Sequence, residues 1–246
     1  MQTIAIISAL RKELEPLFID IQKKKQVAEL NGITFYSGYL KGVSERIIFG
    51  SFGIGKVLAS LSTQFLIDTF HPNHIYFIGA CGGTMHGVKP GDVIVADSTI
   101  QSDFDITCFG YTKGEFQLDR DGILFKEFKT DISLVNWIKT DYICNFESIK
   151  NCMPSILSGR MISQDTFETK KMTFNRLQRE FHFFGIDMES AAVNVVCHFN
   201  AVSFNVVKSA IDITGQLDLN FYRAYYPVVC TNAYKFLKTY LLSKNI

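Results

Sequence analysis

The sequence predicts an α/β fold, a mixed β-sheet sandwiched by helices, in one domain spanning residues 1–246. Three observations carry this expectation. Short apolar runs of strand length alternate with longer stretches of helical spacing. Glycines punctuate the ends of several of those runs. Hydrophobic residues make up 47% of the chain, enough for a sizeable core, and no linker, repeat or low-complexity segment divides it.

Taken in order, Thr3 to Ser8 is a continuous apolar run and reads as a buried strand. Leu10, Leu14, Leu17, Phe18 and Ile21 then recur at helical spacing, and Lys23-Lys24-Lys25 reads as the solvated end of that helix. Ile33 to Leu40 and Glu45 to Phe49 form a strand pair joined through Lys41-Gly42. Val57 to Phe70 is helical, with apolar residues at 58, 61, 65, 66 and 70. His74 to Ile78 is a strand running into Gly79-Ala80-Cys81-Gly82-Gly83, and Asp92 to Ala96 is a strand after a Pro-Gly turn. Phe204 to Ala210 is a further strand, and a final helix covers Tyr225 to Leu242. Residues 113–155 are charged and aromatic, without a clear period, and read as an insertion.

Composition excludes several classes. Twenty-five basic residues balance 24 acidic ones without a basic face, so a nucleic-acid partner is not expected. No apolar run reaches a membrane-spanning length of about 18 residues. The N-terminal Met-Gln-Thr-Ile-Ala-Ile-Ile-Ser lacks the pattern of a signal peptide, and a cytoplasmic protein is expected. The six cysteines are scattered and read as reduced, mostly buried thiols. His71 and His74 are separated by Pro72 and no third ligand follows, so no metal is expected.

In open α/β sheets ligands collect at the carboxyl ends of strands. Five segments fall at such ends: 8–13, 50–56, 79–83, 187–189 and 208–212. In Gly185-Ile186-Asp187-Met188-Glu189-Ser190-Ala191-Ala192, Glu189 opens a nearly apolar helix. It is either a residue favoured by the helix dipole or a partly buried carboxylate that binds a pair of hydroxyls, such as those of a ribose. Gly50-Ser51-Phe52-Gly53-Ile54-Gly55-Lys56-Val57 follows a strand and opens a helix like a P-loop, but Val57 stands where a magnesium-binding Ser or Thr is required. Gly79 to Gly83 lacks dinucleotide-binding spacing and is either a tight turn or a backbone cradle. Glu13 taken alone reads as a solvated side chain. Asp212 ends an apolar strand, where burial raises a carboxyl pKa and makes it a candidate general acid.

Together these segments resemble the 5′-methylthioadenosine/S-adenosylhomocysteine nucleosidases of the purine nucleoside phosphorylase superfamily, over most of the chain. The matching motifs are Ile4 to Glu13, Ser51 to Val57, Gly79 to Gly83 and Val88-Lys89-Pro90-Gly91-Asp92-Val93. They are joined by Asp103-Phe104-Asp105-Ile106-Thr107-Cys108-Phe109-Gly110-Tyr111, Ser163-Gln164-Asp165-Thr166-Phe167, Asp187-Met188-Glu189 and Asp212. The resemblance implies a nucleoside phosphorylase-like fold and hydrolysis of an N-glycosidic bond with release of adenine, without a cofactor. It implies Glu13 as the base that activates water, Asp212 as the acid that protonates the purine, and Glu189 as the clamp on the ribose hydroxyls. The implied substrate contacts are Ile54, Ala80, Cys81, Gly82, Phe109, Phe167, Met188, Glu189, Lys208 and Phe221. Phe109 resembles the residue lent to a neighbouring subunit's pocket, which implies a homodimer. Ala80, Gln164, Lys208 and Ile211 depart from the common Ser, Gly, Arg and Ser of the family, and exchanging Arg for Lys loses a planar fork of donors. Three alternatives remain: a phosphorylase, a nucleosidase for an aminofutalosine-type substrate, and a non-catalytic nucleoside-binding protein.

Overall fold

The computed structural model describes residues 2–83, 87–117, 122–139, 144–213 and 218–244. In chain order the elements begin with β1 (Thr3–Ser8), α1 (Glu15–Asp20), β2 (Gln22–Leu30), β3 (Ile33–Tyr39), β4 (Arg46–Ser51), α2 (Lys56–Phe70), β5 (His74–Gly83) and β6 (Val93–Gln101). The short β7 (Phe116–Gln117), β8 (Leu124–Phe125) and β9 (Glu127–Lys129) follow, then α3 (Ile132–Trp137) and β10 (Ile156–Ser163). The chain closes with α4 (Lys171–Phe181), β11 (Gly185–Asp187), α5 (Ser190–Phe199), β12 (Ser203–Ile213) and α6 (Leu219–Ser243).

One mixed sheet has the order β11-β10-β6-β12-β5-β1-β4-β3-β2, with β9 paired to β6. Alternate side chains of a strand point to opposite faces, and β1 shows the result. Ile4 and Ile6 join a core covered by Phe236, Leu237 and Leu241 of α6. Ala5 and Ile7 join a second core with Ala59 and Leu66 of α2 and Val193 of α5. The sheet is thus the middle layer of a sandwich, as expected for an α/β chain with apolar strands.

Strands β4, β1, β5 and β12 run parallel and bring their carboxyl ends to one rim. Strand β5 runs past the His74 to Ile78 segment expected from sequence, because its glycine-rich end stays extended. Gly82 and Gly83 pair antiparallel with Ile186 and Gly185 of β11. That pairing joins the sheet back on itself through β10, β6 and β12, and it delivers the end of β11 to the same rim from the opposite direction. In β12 the register against β5 slips between Ala210 and Asp212, a bulge at Ile211.

Two expectations are corrected. Lys23-Lys24-Lys25 does not end a helix; it lies in β2, the sheet's edge strand, where the lysines are exposed. Charged side chains on an edge discourage pairing with a second chain. The segment 113–155, insofar as it is described, contributes β9 to the sheet and α3 to the α6-side core, while residues 118–121 and 140–143 lie outside the described residues. No helix among the described residues is long and apolar enough to cross a membrane.

Candidate active site

A cleft opens at the rim where these strand ends meet. Glu13, Glu189 and Asp212 all line it, from three separated segments of the chain.

Glu13 sits in a short 3-10 turn, Arg11–Leu14, directly after β1. It is buried, and both carboxylate oxygens are held by backbone: the Leu10 N–H donates to Oε2 at 2.8 Å and the Ala80 N–H donates to Oε1 at 2.8 Å. Gly79 makes this approach possible. Its φ is +149°, and a Cβ there would fall on the Glu13 carboxylate. Gly79→Ala is therefore expected to unseat Glu13 and destabilise the protein by about 1–3 kcal/mol, the scale of an overpacked or strained buried site. Thermal unfolding checks this; a variant that melts with the wild type would show that the approach is not this close.

Glu189 precedes α5, and the α2 start reaches across to it: the Gly55 N–H donates to Glu189 Oε1 at 3.0 Å. Burial and the neighbouring Asp187 push its carboxyl up to about 7, against the opposing pull of Lys208 and the Gly55 N–H. Asp187 is the residue that caps α5. It accepts from the N–H groups of Glu189 and Ser190 at 3.2 and 3.1 Å and from the Ser163 hydroxyl at 2.6 Å. Asp212 has a simpler environment. Burial pushes its carboxyl up to about 6, offset in part by its own backbone N–H. The bulge explains its placement, since Ile211 and Asp212, neighbours in sequence, both face the cleft.

Lys208 lies beneath the cleft and does not line it. Its ammonium is 3.5 Å from Asp187 Oδ2 and 3.6 Å from the centre of the Phe77 ring. Burial alone would discharge it, but Glu13, Asp187 and Glu189 together outweigh burial and hold it charged. The fully buried ammonium makes no hydrogen bond with the described residues.

Of the residues expected at the site, Ile54, Ala80, Cys81, Gly82, Phe167 and Met188 line the cleft beside the three carboxylates. Phe109 does not. It is 77% exposed on a 3-10 turn, Thr107–Phe109. Phe221 does not line it either and packs against Tyr225 with ring centres 4.6 Å apart. The cleft takes Tyr222 and Tyr226 instead, one turn apart on α6. Burial and then Glu13 push the Tyr222 phenol up to about 12 and raise Tyr226 further. These two, with Ile186 and Glu168, are lining residues that sequence reading missed, while Thr166 and Asp187 fall in segments it expected at the pocket. The i, i+4 tyrosines were a visible signal, lost because the last helix was expected to start at Tyr225 and not at Leu219.

Among the described residues the charged side chains lining the cleft are all acids: Glu13, Glu168, Asp187, Glu189 and Asp212. Among the described residues no cluster of three or more His, Cys, Asp or Glu side chains is arranged to hold a metal ion.

Residues 3–242 match the model of the Phosphorylase superfamily. The chain is 29% identical over 244 residues to the 5′-methylthioadenosine/S-adenosylhomocysteine nucleosidase of Buchnera aphidicola subsp. Schizaphis graminum, covering 99% of this chain and 97% of that one. Among solved structures it resembles the corresponding nucleosidase of Colwellia psychrerythraea in complex with adenine, at a TM-score of 0.84 and 27% identity, over 99% of this chain and 95% of that one. The fold also superposes on the nucleosidase of Neisseria meningitidis, at a TM-score of 0.83 and 24% identity, with both chains fully covered.

Proposed function

The chain belongs to the phosphorylase superfamily, and from that premise we propose that it is a hydrolase: it cleaves the N-glycosidic bond of 5′-methylthioadenosine, S-adenosylhomocysteine or a related purine nucleoside and releases adenine. One observation favours water over phosphate as the nucleophile. Among the described residues every charged side chain that lines the cleft is a carboxylate, and a phosphate dianion placed among them would be repelled in a medium that screens poorly.

In this reading Glu13 accepts a proton from a water as its oxygen attacks the anomeric carbon. The bond from that carbon to the purine breaks, its electron pair passes to the base, and Asp212 delivers a proton to a purine ring nitrogen so that adenine leaves neutral. Glu189 accepts from the ribose hydroxyls while positive charge builds on the sugar. Phe167 and Met188 pack against base and sugar, and Ile54, Ala80, Cys81 and Gly82 form the adjoining wall. Lys208, under the floor, balances the carboxylates without touching substrate. Residues 1–246 form one nucleoside phosphorylase-like domain.

The assembly is a homodimer. Phe109, Ile54, Val57, Leu58 and Leu61 are all exposed apolar side chains, and a second copy that covered them would bring Phe109 to its neighbour's cleft. The protein works in the cytoplasm, in methionine salvage, and needs no cofactor.

The deciding experiment is product analysis in phosphate-free buffer. Free adenine and a free thioribose are expected at full rate without phosphate. Release of adenine only when phosphate is supplied, with a ribose 1-phosphate as the second product, would replace hydrolysis by phosphorolysis.

A further inference from the structure

A single ammonium ties three segments of the chain, two of them close to the cleft residues Ile54 and Thr166. Lys56, the first residue of α2, places Nζ 2.6 Å from Asp103 Oδ1 and 3.7 Å from Asp165 Oδ2. The two carboxylates are themselves joined, because Asp103 Oδ2 accepts from the Asp165 N–H at 2.8 Å. Asp165 Oδ1 in turn accepts from the backbone N–H of Lys56 at 2.9 Å. The contacts close into a ring that links positions 47 and 109 residues apart from Lys56.

The fit around this ring is tight. The Lys56 side chain is only 16% exposed. Gly55 has φ +99°, and a Cβ there would come within 3.3 Å of Asp165 Oδ1. The Gly55 N–H, one residue before the N–H that Asp165 caps, is the donor to Glu189. The two acids thus take adjacent amides at the same helix start, and a shift of one moves the other.

We propose that Lys56 is a positioning residue for the reaction. With Asp103 and Asp165 it fixes the start of α2, so that the Gly55 N–H holds Glu189 in the orientation that meets the ribose hydroxyls. Lys56 touches no substrate and acts through Glu189. The motif that imitates a P-loop in the sequence therefore uses its lysine on two carboxylates and not on a phosphate. This inference rests on the nucleosidase reading for its rate effects, though not for the geometry it invokes.

The test is a double-mutant cycle on adenine release. Lys56→Gln is expected to lower kcat/KM about 10–100-fold in the wild-type background, the scale of a misplacement of about 1 Å at a reacting centre. In the Glu189→Ala background the same change is expected to cost less than about 3-fold, since the group it positions is gone. Lys56→Arg, which keeps the charge, should recover most of the loss. An equal loss in both backgrounds, or none in the wild type, overturns the proposal. Should Lys56→Gln not fold, Asp165→Asn goes through the same cycle under the same criteria; it removes the charge but keeps an oxygen for the Lys56 N–H.

A second readout needs no turnover. Losing the Gly55 donor removes a bond that favours the charged carboxylate, so the carbon-13 carboxyl signal of Glu189 should titrate at higher pH in Lys56→Gln. An unchanged titration also overturns the proposal. If the nucleosidase reading itself fails, the wild type releases no adenine, and the titration comparison still stands.

Discussion

Glu13→Gln is expected to lower turnover by about 10²–10⁴-fold, the usual contribution of a general base, while substrate still binds. An ionised carboxylate has about four acceptor sites, and two of those on Glu13 are taken by the N–H groups of Leu10 and Ala80. The Tyr226 hydroxyl also donates to this carboxylate, which leaves about one acceptor site for a water. Glutamine keeps the shape but offers one oxygen and one amide nitrogen, so one of the two backbone N–H groups is left facing another donor. A small loss of stability, about 1–3 kcal/mol for an unsatisfied buried donor, should accompany the loss of rate. Single-turnover rates and adenine binding, measured side by side, separate the two effects. Near-normal turnover would remove Glu13 from the mechanism.

Asp212→Asn should show a comparable fall in turnover with the opposite effect on stability. Asparagine can donate a hydrogen bond to a purine nitrogen but cannot deliver a proton. Burial raises the folded-state pKa of Asp212 from 3.8 to about 6. The fold therefore favours the protonated form, and the stability tied to this group is fully present below pH 3.8 and lost as pH rises through about 6. Each pKa unit corresponds to about 1.4 kcal/mol, so the variant should be more stable than the wild type at pH 8, by up to about 3 kcal/mol, and equally stable near pH 4. The rate profile adds a second signature. With Asp212 protonated, Glu189 ionised and pKa values of about 6 and about 7, kcat/KM of the wild type should rise to about pH 6, level, and fall above about pH 7. The residual activity of Asp212→Asn should lose that alkaline fall. Glu189→Ala differs in kind: it removes the ribose acceptors, worth roughly 1.5–3 kcal/mol for each charge-assisted bond, and should weaken binding together with turnover. Normal binding in Glu189→Ala with abolished binding in Asp212→Asn would exchange the two assignments.

The parallel strands were legible in the sequence because buried strands read as continuous apolar runs, and β1 spans Thr3 to Ser8 as expected. The convergence of strand ends was legible for the same reason, and it brought Glu13, Glu189 and Asp212 into one cleft. Strand β2 was not, because an edge strand with five exposed residues in a row lacks the alternation that marks a half-buried strand. Helix α4 carries a usable signal in Phe174, Leu177 and Phe181, all buried at helical spacing but set within a charged segment. Phe221 was implied by the resemblance alone; successive residues on α6 are turned by about 100°, and it is the neighbouring Tyr222 that lines the cleft. The Lys56 ring was invisible for a different reason. Its members are far apart in sequence, and no local pattern couples residue 56 to residue 165.

The bulge at Ile211 makes the acid of this site a matter of chain length. Strand side chains alternate with a period of two, and the extra residue in β12 interrupts that alternation just before Asp212. Without Ile211, Asp212 would still stand opposite Gly82, but the local bend and added twist that turn both Ile211 and Asp212 to the cleft would be lost, although every surviving amino acid would be unchanged. Drift by substitution along this strand alters packing one side chain at a time. A single-residue gap removes the bulge and its bend in one step, so insertions and deletions in β12 are under a stricter constraint than replacements.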